Sequence, residues 1–338
     1  MQADGSAPER LTECTMGSIA WSPDGKMIAF SRRDDPRSGD PGNQGPGDSL
    51  CVMGAEAGEV KQLSDAEAAR TTSDPAATGV QLSYAPWDRS PSWSPDGTLV
   101  AFERYYGDLE GLPDMGVYSA NVRTGAVREV NVSHALSVAG LPEHASFSPR
   151  WSPDGSLIAF EGLRGEGFQA SRHMWTMEPD GRHERELTHF ELASDGAFEW
   201  SPDGRWIAYA AYLEGGNRVR VVGRTGEGRR TLARVDRWVE SISWSPDGRA
   251  LAIGSYGGAL KLVDVASGDA RTPVEKLVGC QSPAWSPDGE WLAFEGKADG
   301  DAEIWLLNVQ TGATTQLTDN SVDDTSPQWE PAGVPAAR

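Results

Sequence analysis

Trp244-Ser245-Pro246-Asp247-Gly248 is one of six copies of a single pentapeptide in this chain. The others begin at Trp21, Trp93, Trp151, Trp200 and Trp285, and a degenerate seventh reads Trp329-Glu330-Pro331-Ala332-Gly333. Successive tryptophans lie 72, 58, 49, 44, 41 and 44 residues apart. Self-similarity at a period of roughly 40–50 residues marks a propeller, a solenoid or an array, in which one small unit recurs and stacks on its neighbours.

The pentapeptide is a turn with a mechanism. Proline pre-sets the backbone angle of the second turn position, aspartate suits the third, and glycine accepts the left-handed geometry that follows. An apolar run comes next in each copy, such as Met27-Ile28-Ala29-Phe30, Leu99-Val100-Ala101-Phe102 or Trp291-Leu292-Ala293-Phe294. These runs are short, rich in β-branched and aromatic residues and bounded by turn residues, so they read as buried strands. A third strand is clearest at Ile304-Trp305-Leu306-Leu307-Asn308-Val309. A fourth, shorter one centres on Gln62-Leu63-Ser64, Glu186-Leu187-Thr188 or Gln316-Leu317-Thr318. Four antiparallel strands per repeat, A to D, make a propeller blade, with the motif tryptophan closing strand A and packing between blades.

On these six in-frame motifs the sequence resembles, over nearly its whole length, the propeller of the TolB family and its relatives with WD-like Ser-Pro-Asp-Gly repeats. The resemblance implies an all-β fold: a closed β-propeller of four-stranded antiparallel blades, forming one domain over residues 1–338. In the TolB layout, residues 1–14 supply the C and D strands of the closing blade, 15–322 form six full blades, and 323–333 supply the closing A strand. Met1–Thr12 superposes without a gap on Met177–Thr188, which favours seven blades, the last shared by both termini. That blade lacks strand B and most of strand C. Either the reading frame extends upstream of Met1, or six blades close alone.

Composition narrows the partners. The chain has 338 residues, 50 acidic against 30 basic, for a net charge of −20. Such a surface repels phosphate backbones, so no nucleic-acid partner is expected. No apolar run reaches the ~18 residues of a membrane span. Met1 leads into a polar turn sequence, with no basic region and apolar stretch of a signal peptide. The resemblance implies a periplasmic or secreted monomer, whereas Met1 as the true start would imply the cytoplasm. Three cysteines are too few for a disulfide scaffold.

In an antiparallel blade the A–B and C–D turns share one face, and the B–C and D–A loops share the other. Here the first face is uniformly tight. Every large insertion falls on the second: residues 31–49, 65–90, 103–115, 131–148 and 162–172, all in blades 1–3. Loops this long are uncommon unless functional or disordered. The elaborated face is therefore the expected binding face. Six residues before the motif tryptophan, only blades 2 and 5 place a tryptophan, Trp87 and Trp238. Of 13 tryptophans these two alone have no place in the repeat core. Each either packs under its own loop or takes part in recognition near the channel mouth.

Their neighbours Asp88, Arg89, Tyr105, Tyr106 and Glu240 complete the candidate surface, with His144 on the same face. Arg150 and Glu199, each one residue before a motif tryptophan, are expected to pair. Serine three residues before the motif tryptophan, in six of seven copies, reads as a structural hydrogen bond.

Two functions follow. The leading one is a non-catalytic binding module, without a cofactor, that docks a protein, a peptide or a glycan on the elaborated face. TolB-type propellers resemble this in use, binding a lipoprotein of the cell envelope. The alternative is a propeller polysaccharide lyase or hydrolase with a histidine-bound metal, for which His134, His144 and His173 are the candidates. No two of them have the spacing of a paired ligand motif, and no catalytic residues are assigned.

Overall fold

The computed structural model describes residues 9–12, 15–33, 48–56, 58–64, 87–106, 114–132, 144–164, 171–188, 197–213, 216–298 and 300–331. Over these residues the chain is all-β, with six antiparallel sheets of four strands and no helix. The sheets fall into two compact units, over Leu11–Glu186 and Leu187–Ala332.

In the first unit, blade 1 holds β1 (Thr15–Trp21), β2 (Met27–Arg33), β3 (Asp48–Gly54) and β4 (Lys61–Gln62). Blade 2 holds β5 (Trp87–Trp93), β6 (Leu99–Tyr106), β7 (Asp114–Asn121) and β8 (Val127–Val132). Blade 3 holds β9 (His144–Trp151), β10 (Ile158–Arg164), β11 (Ser171–Met177) and β12 (Arg185–Glu186).

In the second unit, blade 4 holds β13 (Phe198–Trp200), β14 (Trp206–Leu213), β15 (Gly216–Gly223) and β16 (Arg230–Val235). Blade 5 holds β17 (Val239–Trp244), β18 (Ala250–Ser255), β19 (Lys261–Asp264) and β20 (Ala270–Arg271). Blade 6 holds β21 (Val278–Trp285), β22 (Trp291–Lys297), β23 (Glu303–Asn308) and β24 (Thr314–Gln316). Strands are hydrogen-bonded in chain order in every sheet.

The pentapeptide builds the β-turn between the first and second strands of each blade, and serine closes it. In blade 5, Ser245 Oγ donates to Asp247 Oδ1 (2.7 Å) and accepts from Ala250 N (2.9 Å). Asp247 Oδ1 also accepts from Arg249 N (3.0 Å). The same serine bridge recurs at Ser22, Ser94, Ser152, Ser201 and Ser286. Gly248 takes φ +71°, where a Cβ would be strained.

Apolar residues of adjacent blades meet in shared cores. Val219, Val221, Trp244, Leu251 and Ile253 join blade 4 to blade 5, and Val52, Trp93, Phe102 and Tyr118 join blade 1 to blade 2. The motif indoles stitch these cores to the backbone. Trp93 Nε1 donates to Ala20 O (3.0 Å), Trp244 Nε1 to Glu199 O (3.1 Å) and Trp285 Nε1 to Ser243 O (3.2 Å).

A second tie uses the recurrent serine, which sits in the left-handed region with φ +53°, +52°, +47° and +55° at Ser90, Ser148, Ser282 and Ser326. Their amides donate to Ser18 Oγ (2.9 Å), Glu103 Oε2 (2.8 Å), Ser241 Oγ (2.9 Å) and Glu295 Oε1 (2.7 Å) on the preceding blade. The serine is thus structural, as the repeat suggested: its backbone amide donates, and at Ser18 and Ser241 its hydroxyl accepts from the next blade's serine.

A third tie was not legible. A cation early in strand D, or just ahead of it, reaches a C–D turn carbonyl of the next blade. The pairs are Lys61 to Val122 (2.6 Å), Arg128 to Pro179 (2.8 Å), Arg230 to Val265 (2.9 Å) and Arg271 to Val309 (3.2 Å).

Of the two blade counts, six four-stranded blades are formed. Residues 9–12 and 317–331 form no strand. The degenerate seventh motif still docks like an inner strand, with Trp329 Nε1 donating to Ala284 O (2.9 Å). Pro327 and Pro331 in this segment lack an amide to donate to a ladder.

Candidate functional site

Blade 2 presents an aromatic stack. Trp87 opens β5, where the sequence reading had a loop to residue 90, and it faces Tyr105 across the β5–β6 pair. The two rings stack at 5.5 Å with an interplanar angle of 25°. The Arg89 guanidinium lies 5.0 Å from the indole centroid and 3.5 Å from the Asp48 carboxylate. Trp87 remains 39% exposed. Tyr106 ends β6; its side chain lies outside the described residues.

Asp88 is corrected. Strand alternation turns it away from its neighbours, and it is fully buried. Its carboxylate takes a two-pronged bond from Arg104 (2.6 and 2.8 Å) and a further bond from Ser64 Oγ. Arg104 in turn lies over the Phe102 and Tyr118 rings. This is a buried, satisfied ion pair that holds the blade edge, so Asp88 leaves the surface set.

Blade 5 presents a second stack on a different plan. Trp238 lies on Tyr212 of β14, ring centroids 4.0 Å apart at 23°. The Tyr212 hydroxyl accepts from Val239 N (2.7 Å) and contacts Val239 O (3.1 Å), which pins the base of the loop. Trp238 O accepts from Tyr256 N (2.9 Å). Trp238 is 46% and Tyr256 67% exposed. Glu240, two residues after Trp238 in β17, is half-buried. Burial, and secondarily the Glu295 carboxylate, push its pKa up. Tyr212 and Tyr256 escaped the sequence reading because it weighed long insertions, and blade 5 has a short B–C turn. The exposed tyrosine before Gly257-Gly258 was the available signal.

The remaining candidates have these contacts within their units. Arg150 contacts Pro149 O at 3.4 Å. Glu199 Oε2 accepts from Trp244 N (2.8 Å), so its carboxylate supports the motif strand. His173 is buried with Nδ1 against Glu186 Oε1. His134 and the side chain of His144 lie outside the described residues. Among the described residues no three His, Cys, Asp or Glu side chains are placed to hold a metal ion. Cys51 and Cys280 are buried, and burial pushes the Cys280 thiol up to about 11. The five long insertions narrow to residues 34–47, 65–86, 107–113, 133–143 and 165–170, all outside the described residues. No helix among the described residues is long and apolar enough to cross a membrane.

Repeated four-stranded blades tied by motif tryptophans define a protein of the β-propeller class. Within that class, residues 216–336 match the family model of the TolB beta propeller domain. The chain is 30% identical over 209 residues to an uncharacterized peptidase of Bacillus subtilis, covering 60% of this chain and 28% of the relative. It is 28% identical over 255 residues to an uncharacterized protein of Agrobacterium fabrum, covering 61% and 83%. The chain therefore spans well under half the length of the peptidase relative. Among solved structures, TolB from Acinetobacter baumannii aligns with a TM-score of 0.57 at 16% identity, over 91% of this chain and 67% of that one. At that identity the likeness shows the fold.

Proposed function

We propose that this chain is a non-catalytic TolB-like binding module that docks a protein or peptide through exposed aromatics on the face of its B–C and D–A loops. The observation that carries this is the pair of Trp–Tyr stacks, Trp87 on Tyr105 and Trp238 on Tyr212, whose tryptophans are exposed, the first with Arg89 against its ring and the second preceded in the chain by Arg237. Trp, Tyr and Arg dominate binding hot spots, and the two aromatic types bury much area with few rotors. A stack held from beneath is also pre-organised, so little entropy is lost on docking. By resemblance to TolB, the compartment is the periplasm or the cell exterior and the partner an envelope protein.

The test is capture from a cell-envelope extract with tagged wild-type protein and the Trp87→Ala/Trp238→Ala variant, read by quantitative mass spectrometry. The reading expects partners enriched by the wild type to be lost by the variant while both melt within a few degrees. Equal capture by both proteins would remove the aromatic stacks from the function.

A further inference from the structure

The chain is strongly acidic, yet one small cavity on blade 5 gathers two cations. It has a volume of about 240 Å³ and is lined by Arg237, Lys261, Asp236, Ser255, Gly257 and Gly258, among others. The Arg237 carbonyl is held by Asn217 Nδ2 (3.1 Å), which places the residue in the loop that carries Trp238. Its stem runs along the glycine pair: a Cβ at residue 258 would sit 3.4 Å from Arg237 Cγ and 3.0 Å from Ser255 Cβ. Gly257 takes φ +58°. The glycines thus leave room for the arginine to lie against the loop.

No acidic side chain among the described residues pairs with the Arg237 guanidinium. Lys261 has only Asp236, at 3.7 Å, whose carboxylate side chain is 95% exposed. An ion pair that exposed contributes little and exchanges readily with an incoming carboxylate. Arg237 is joined directly to Trp238, Tyr256 N is bonded to Trp238 O, and Lys261 opens β19 just after the loop of Tyr256, so the exposed rings stand on the same two segments as the cations.

We propose that this corner of blade 5 binds an acidic linear peptide segment, in which an Asp or Glu side chain, or a free C-terminal carboxylate, sits next to an aromatic or aliphatic residue. The carboxylate takes the planar guanidinium of Arg237, with Lys261 as a second positive charge. The neighbouring apolar residue packs on Trp238 and Tyr256. Charge complementarity argues the occupant: in a molecule of net charge −20 an open arginine and a weakly paired lysine form a local well for an anion. The Trp, Tyr and Arg set favours peptide over sugar, because these types concentrate in protein interfaces. The inference rests on the binding-module reading and names the chemistry of the partner at this site.

The experiment selects a phage-displayed library of random heptapeptides on the immobilised protein, then compares selected peptides on the wild type, Arg237→Gln/Lys261→Gln and Trp238→Ala. The expected peptides carry Asp or Glu beside an aromatic or aliphatic residue. Their affinity should fall at least ~10-fold on either variant. It should also weaken between about 50 and about 300 mM salt.

Selection of no peptide, of peptides without acidic enrichment, or of peptides that bind the Arg237→Gln/Lys261→Gln variant equally overturns the proposal. Binding of a uronic-acid oligosaccharide, measured by calorimetry, with no acidic peptide selected, overturns it in favour of a glycan. If extract capture depends on Trp87 and Trp238 but not on Arg237 and Lys261, this inference fails while the binding-module reading stands. Capture indifferent to all four residues removes both. Unchanged melting of each variant shows that the losses are local.

Discussion

Two tryptophans six residues apart separate scaffold from surface. Trp244 is 6% exposed, packs in the core between blades 4 and 5 and gives its indole hydrogen to Glu199 O. Trp238 is nearly half exposed and touches mainly Tyr212. Trp244→Ala should cost ~3–5 kcal/mol through its cavity. Trp238→Ala should cost no more than ~1.5 kcal/mol, the worth of one aromatic pair. Urea unfolding of the two variants reads the difference, and equal losses would make Trp238 a packing residue.

Glu240 makes a pH prediction at the same scale. Its folded pKa is raised, by burial first and by Glu295 second. The folded state therefore binds this proton more tightly than the unfolded chain does. Its contribution is most favourable at low pH and is lost as pH rises through the raised value. Glu240→Gln should accordingly melt higher than wild type at neutral pH, and the advantage should vanish as the pH approaches ~4. Thermal melts across that range would show a constant offset if the shift were absent.

At the scale of the element, the serine of each turn and the serine ahead of each motif tryptophan do different work. Ser245 links Asp247 to the start of β18. Ser245→Ala leaves Ala250 N without that acceptor and should cost ~1 kcal/mol. Ser282 holds φ +47°, and its amide bonds Ser241 Oγ at 2.9 Å. A β-branched residue fits that backbone poorly, whereas glycine fits it freely. Ser282→Val should therefore destabilise by ~1–3 kcal/mol, and Ser282→Gly by much less. Equal effects of the two substitutions in denaturant titrations would show that the left-handed geometry carries no cost.

At the scale of the whole molecule, the repeated turns contribute to the response to acid. Asp24, Asp96, Asp247 and Asp288 are all held below the ordinary aspartate value, first by the hydroxyl of the serine two residues before each. Because the folded values lie below the unfolded ones, the unfolded chain binds these protons first as pH falls. The stability they supply is present above about pH 4 and lost as pH drops through the depressed values. Replacing all four by Asn keeps an oxygen acceptor in each turn and should flatten the fall in melting temperature between about pH 5 and about pH 2.5. A slope as steep as wild type would place the acid sensitivity elsewhere.

Blade architecture was legible from residues alone because it is local. A Ser-Pro-Asp-Gly turn closes on its own atoms within six residues, and the apolar run after it can only be a strand that needs a neighbour. The period, the four strands per repeat, the buried motif tryptophans and the two surface tryptophans follow from that pattern.

What tertiary structure alone decided is longer in range. Strand alternation buried Asp88 under Arg104, although it stands between two surface residues in the chain. Tyr212 came under Trp238 from another blade, 26 residues earlier. The basic corner at Arg237 and Lys261 joins a loop residue to the first residue of β19, 24 positions apart. The inner-strand docking of Trp329 without a completed blade depends on a carbonyl 45 residues away. A repeat pattern specifies which residues must be buried in each unit. Which exposed side chains meet is set by the packing of one unit on the next, and no local turn or periodicity encodes that distance.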